Sequence, residues 1–147
     1  VLATTSAAIL GNTSERIKGI LHSFGYEIGM AFQIVDDILD FVGEQSEVGK
    51  PVANDLRQGL ITLPTIHYLE LHPDDQDAAF LLGKNAFDEA RLTRLVSAIL
   101  DSGAIQKAME EAEQFVHRGL GALAELPETP ERLALEELAH YIVHRNL

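Results

Sequence analysis

Residues 13–42, TSERIKGILHSFGYEIGMAFQIVDDILDFV, place apolar side chains at Ile17, Leu21, Phe24, Ile28, Phe32, Val35 and Leu39. Steps of three or four residues keep these on one side of a 3.6-residue helix and build a single apolar stripe. The stretch therefore predicts one long helix buried along one face, ended by Gly43. Gly19, Gly25 and Gly29 interrupt it. Each glycine weakens a helix by about 1 kcal/mol relative to Ala, so these positions are expected where a neighbouring helix or a ligand comes close. Upstream, residues 1–10 read as the end of an apolar, small-residue helix stopping at Gly11. Asn12 with Glu15 three positions later has the form of a capping box for the next helix.

Downstream the helical period continues. Residues 43–59, GEQSEVGKPVANDLRQG, are polar, bounded by glycines and broken by Pro51, and read as the one long loop. Helices are expected at 63–71, with Pro64 in the first turn, and at 74–82, 88–100, 104–126 and 130–145. No stretch alternates apolar and polar residues as a strand would, so the class is all-α, a helical bundle filling 1–147 as a single domain. Eleven basic against 23 acidic side chains, a net charge of -12, argue against nucleic acid or an anionic membrane as partner. A phosphorylated ligand fits only if a cation stands between the two negative parties. There is no cysteine to pair or to bind metal. No apolar run reaches the ~20 residues that span a bilayer, so stable membrane insertion is not expected and the cytoplasm is the default compartment. Val1 at the start of an uncapped helical pattern suggests a piece of a longer polypeptide.

The chemistry concentrates in residues 32–41, FQIVDDILDF, where Asp36, Asp37 and Asp40 interrupt an apolar helix. Asp36 and Asp40 fall on one face, roughly 5 to 6 Å apart at Cβ, with Asp37 turned about 100° away. Two bare carboxylates at that separation repel by ~3 kcal/mol at an effective dielectric near 20, and a divalent cation reverses the sign. An all-oxygen donor set suits Mg²⁺, which keeps several waters and bridges to phosphate oxygens. The plain alternative is a solvated acidic face. Lys50, held before Pro51 in extended backbone, and Arg57 offer positive contacts for a diphosphate beside such an ion. Asp55 reads equally as a helix cap and as an outer-shell partner. Asp74, Asp75 and Asp77 follow Pro73 and read as acidic residues at a helix start. Glu137 with His140 and His144 forms a single ExxH, short of the set that a two-metal bundle needs.

FGYEIGMAFQIVDDILDFVG followed by VGKPVANDLRQGLITLP resembles the second aspartate-rich region of the trans-isoprenyl diphosphate synthases, or polyprenyl synthetases. The shared features are an FQ pair ahead of DDxxD, a GK in the following loop, a DL–G segment and a TLP. HYIVHRNL is similar to that family's C-terminal helix and arginine. The resemblance implies the isoprenoid synthase fold and Mg²⁺-dependent departure of diphosphate from an allylic diphosphate. Isopentenyl diphosphate then attacks the allylic cation, leaving a product one isoprene unit longer. It further implies Asp36 as the principal metal ligand, assisted by Asp37 and Asp40, with Lys50 binding the leaving diphosphate. Phe32 and Gln33 would line the cavity, the Gln33 carbonyl facing developing positive charge. The likeness covers the family's second half only. The first aspartate-rich motif, a Lys-Thr pair and the arginines for isopentenyl diphosphate are expected elsewhere, in a missing N-terminal half. Leu60 stands where many members carry lysine. The implied partners are the two diphosphates and a second copy in a homodimer, or the N-terminal half. The alternative is a non-catalytic helical subunit or interaction module that completes or regulates a partner synthase.

Overall fold

The structure, a computed structural model, describes residues 1–43, 53–83 and 88–145. Among these, every regular element is a helix: α1 (Leu2–Leu10), α2 (Glu15–Val42), α3 (Asn54–Arg57), α4 (Leu63–Leu71), α5 (Gln76–Leu82), α6 (Glu89–Asp101), α7 (Ala104–Leu123) and α8 (Pro130–His144). No described helix is long and apolar enough to cross a membrane. The expected helices all form within a few residues of their expected limits, Pro64 sitting in the first turn of α4. Two local expectations change. The cap of α2 is Ser14, whose Oγ accepts the Ile17 N–H at 3.3 Å. Asn12 instead takes a left-handed conformation, φ 49°, that a short polar residue tolerates at a chain reversal. Within the expected loop a single helical turn, α3, also forms.

The chain divides into two compact units, Val1–Val35 with the residues from Glu110 onward, and Asp36–Met109. In the first, Ile20, Phe24, Ile28 and Ala31 form the buried stripe of α2, and Ala112, Val116, Ala139, Ile142 and Val143 are buried on α7 and α8. Removing the larger of these side chains from water stabilises a fold by about 1.5–3 kcal/mol each. Close helix approach occurs at two glycines. A methyl at Gly119 would meet Ile28 Cδ1 at 3.0 Å, and one at Gly25 would collide with Thr4 and stand 3.1 Å from Val1 Cα. Gly25 thus meets the expectation of a close neighbour. Gly19 and Gly29 face nothing within 4 Å among the described residues.

The second unit packs Phe41, Ala53, Leu56, Tyr68, Ala78, Leu92, Leu95, Val96, Ile99 and Ala104 into one core. On α6 the buried positions Leu92, Leu95, Val96 and Ile99 repeat at helical spacing, so this helix lies on the core along one stripe. Asp75 caps α5 by accepting the Ala78 N–H at 2.7 Å, and its second oxygen accepts the Tyr68 hydroxyl at 2.8 Å. Burial, then that hydrogen bond, then the negative charge of Asp75 and Asp77 push the Tyr68 phenol up to about 12. Asp77 ties α5 to α6 through Arg91 at 2.8 Å and Arg94 at 2.7 Å.

Candidate functional site

The three aspartates stand in the last two turns of α2, Asp36 exposed and Asp37 and Asp40 half-buried. This is the negative end of a 28-residue helix with no basic residue in its last turn, a place where the helix dipole favours a cation.

Asp40 is bound to the chain beyond it. Its Oδ1 accepts the Asn54 N–H at 3.1 Å, its Oδ2 the Asp55 N–H at 3.0 Å, and its carbonyl the Ala53 N–H at 2.7 Å. Ala53 is fully buried and left-handed, φ 53°, a conformation that costs a residue with a Cβ about 1–2 kcal/mol. Ala53 has no side-chain cap to offer α3, and the Asp40 carboxylate does that work. Asp55 is half-buried, and its carboxyl is held above its ordinary range, first by burial and then by the charges of Asp40 and Asp36. Asp36 and Asp40 thus stand close enough to Asp55 for their charges to act on it.

The expectation that Asp36, Asp37 and Asp40 surround one ion has a geometric limit. Among the described residues no group of three His, Asp or Glu side chains is placed to hold a metal. Asp37 is rotated away along the helix, and Asp40 is turned onto two amides. The donor set still fits a hard divalent ion that takes one or two carboxylates and fills its remaining positions with water and phosphate oxygens.

Arg57 lies one turn along α3, with its guanidinium forked onto Glu89 of α6 through bonds of 2.7 and 2.6 Å. Its part in binding a diphosphate would require exchange of that partner. Lys50 lies outside the described residues. Phe32 is 43% exposed and carries the Arg145 guanidinium 4.0 Å above its ring, a cation–π contact joining α2 to the end of α8. Gln33 lies on the exposed face of α2 with Tyr26 and Met30. Sequence reasoning missed the Arg145 brace, the Glu89 fork and the Asp40 cap. All three join residues distant in sequence, and only the left-handed Ala53 leaves a local trace.

The other acidic pattern is structural. Asp75 is a cap and Asp77 an ion-pair hub. Glu137, His140 and His144 are exposed on α8 and form no metal group of three among the described residues. His67 is buried on α4 with Nδ1 3.4 Å from Glu70, which pairs with Lys107 at 2.8 Å. An open groove of about 500 Å³ on α7, lined by Glu110, Glu113, Gln114, His117 and Arg118, includes none of the expected site residues.

Residues 1–99 match the family model for polyprenyl synthetases. Over 138 residues the chain is 36% identical to the heptaprenyl diphosphate synthase component 2 of Bacillus subtilis, a match covering 94% of this chain and 39% of the relative. It is 33% identical to the octaprenyl diphosphate synthase of Escherichia coli, covering 98% of this chain and 45% of that one. A crystal structure of heptaprenyl diphosphate synthase from Staphylococcus aureus superposes with a TM-score of 0.89 at 28% identity, over 98% of this chain and 45% of that one. The polyprenyl synthase of Caulobacter crescentus, complexed with calcium and isoprenyl diphosphate, gives 0.84 at 30% identity, over 99% and 45%. The chain thus spans less than half the length of these relatives. With the all-helical fold, the FQ–DDxxD helix and these matches in agreement, the chain belongs to the polyprenyl synthetase family.

Proposed function

We propose that this chain carries the second metal and diphosphate site of a trans-isoprenyl diphosphate synthase, a prenyltransferase condensing isopentenyl diphosphate with an allylic diphosphate. The observation that carries the reading is the gathering of the Asp36, Asp40 and Asp55 charges at the negative end of α2, where burial and then the other two charges hold the Asp55 carboxyl above its ordinary range. A cation bound there would relieve that repulsion. The relative complexed with calcium and isoprenyl diphosphate supports the same pairing of ligands. In this reading Asp36 holds Mg²⁺ most directly, Asp37 assists through water, and Asp40 acts through orientation. Bound there, the ion neutralises charge on a departing diphosphate. Lys50 supplies a second positive contact. Gln33, one turn upstream on α2, directs its carboxamide oxygen at developing positive charge, a fixed dipole that needs no reorganisation during the reaction. Phe32, braced by Arg145, lines the apolar side.

The missing portion is proposed to come from the N-terminal half or a second copy. α1 supports such a covering, because Leu2 and Leu10 are 82% and 86% exposed while Thr4, Thr5 and Ser6 turn inward. The test is thermal unfolding with Mg²⁺, inorganic diphosphate and both. The two together raise the melting temperature more than either alone, and Asp36→Ala abolishes the gain. No shift in the unaltered chain rejects the reading. A second reading, a helical subunit that completes a partner synthase, is favoured by relatives named component 2. It predicts ligand-independent stability and a stoichiometric complex with a chain supplying the other half.

A further inference from the structure

We propose that His140 and His144 form a binding site for one borderline transition-metal ion, Zn²⁺, Ni²⁺ or Cu²⁺, which staples the last turn of α8. The site is independent of the one built on Asp36 and calls for different chemistry. Both histidines are exposed near the end of α8, Pro130–His144, four residues apart. That spacing sets them about 40° apart around the helix and about 6 Å along it, so two imidazoles can reach one ion from one face. Paired histidines at this separation are how a zinc-binding helix presents two ligands. Of the six histidines in the chain no other two are three or four residues apart. Imidazole nitrogen suits Zn²⁺, Ni²⁺ and Cu²⁺, whereas Mg²⁺ takes oxygen donors, so an ion that suits the aspartates leaves this pair empty.

The surroundings favour a cation. The pair stands in the last two turns of α8, at the negative end of the helix dipole. Glu137 shares the face one turn before His140. It does not join the histidines in a three-donor group, so its charge attracts an ion while water completes the coordination. Arg145, the cation next in sequence, has its guanidinium 4.0 Å above the Phe32 ring. The helix gives out at that residue, whose backbone is already extended at ψ 119°. An ion held by both imidazoles binds only the helical form of the turn and therefore opposes its fraying by mass action. The staple thus steadies the turn from which Arg145 reaches Phe32.

The test is calorimetric titration of the whole chain with Zn²⁺ in excess Mg²⁺, which occupies oxygen sites, together with thermal unfolding and electron paramagnetic resonance of the Cu²⁺ complex. Zn²⁺ should bind at one site and raise the melting temperature with its concentration, and the copper spectrum should count two nitrogen ligands. His140→Ala and His144→Ala should each weaken Zn²⁺ binding about a hundredfold, the loss expected when a two-armed chelate keeps one arm. Both side chains are exposed, so each variant should fold as the unaltered chain does. Adding Glu137→His to His144→Ala should restore most of the affinity, because residues 137 and 140 are also helical neighbours on that face. Zn²⁺ binding that survives either alanine substitution, a single nitrogen in the copper spectrum, or no recovery with Glu137→His overturns the proposal. So does an unaltered chain that ignores Zn²⁺, a result that leaves the Asp36 site untouched. Zn²⁺ held at the two histidines by a chain that ignores Mg²⁺ with inorganic diphosphate supports the proposal and overturns only the Asp36 reading.

Discussion

Replacing Asp55 by Asn should stabilise the metal-free protein, the opposite of the usual outcome for a half-buried polar residue. The Asp40 charge acts on the Asp55 carboxyl, and a separation on the order of 6 Å serves to size the repulsion. At an effective dielectric of 20 two charges at that separation repel by about 3 kcal/mol, and in bulk water by about 0.7 kcal/mol. Asp55 is partly solvated, and screening brings the expected gain to about 1 kcal/mol. For a chain of this size that is roughly 3 °C in melting temperature. The sign follows from linkage. The folded Asp55 carboxyl is raised above its ordinary 3.8, so the folded state is penalised above that raised value. The penalty disappears as pH falls through it towards 3.8. The advantage of Asp55→Asn over wild type is therefore full at pH 7 and lost in the acid range, as measured by urea unfolding across pH. Added salt should shrink it. A variant less stable than wild type at pH 7, or an advantage that grows on acidification, refutes the idea that burial and neighbouring charge penalise this carboxylate.

Three further outcomes follow from the geometry. Tyr68→Phe removes a 2.8 Å hydrogen bond to the Asp75 carboxylate and should lower stability by about 2 kcal/mol in chemical unfolding. In an ultraviolet titration one of the three tyrosines should ionise near 12, with stability falling as pH climbs from about 10 towards that value. Gly19→Ala, with nothing within 4 Å of its new methyl among the described residues, should stabilise α2 by about 0.5–1 kcal/mol, whereas Gly25→Ala drives a methyl into Thr4 and should destabilise by about 1–3 kcal/mol.

Sequence patterns exposed the helices because their signals are local. The apolar period of α2, Pro64 at the start of α4 and the acidic cap before α5 each lie within a turn of what they specify. The DDxxD motif was legible for the same reason, since a helix dictates which of its own side chains share a face. Sequence reading failed where a partner comes from another element. α3 is one turn long and takes its cap from Asp40, across residues 41–52, so no local pattern announces it. Arg57 looks like a projecting cation until Glu89, far along the chain, is seen in its fork. The asparagine before α2 resembled a cap, but the nearer Ser14 makes the bond while Asn12 takes the left-handed angle that ends α1. Gly19 and Gly25 are indistinguishable as letters and differ only in what α1 brings beside them.

The central claim is that Asp36 meets a divalent ion carrying a diphosphate. Crystals grown with Mn²⁺ and inorganic diphosphate test it most directly, through the anomalous signal of the metal. The account predicts a peak at bonding distance from an Asp36 carboxylate oxygen, completed by water and phosphate oxygens, with Asp40 still on the amides of Asn54 and Asp55. A metal bound elsewhere, or diphosphate ordered without any metal beside Asp36, contradicts it.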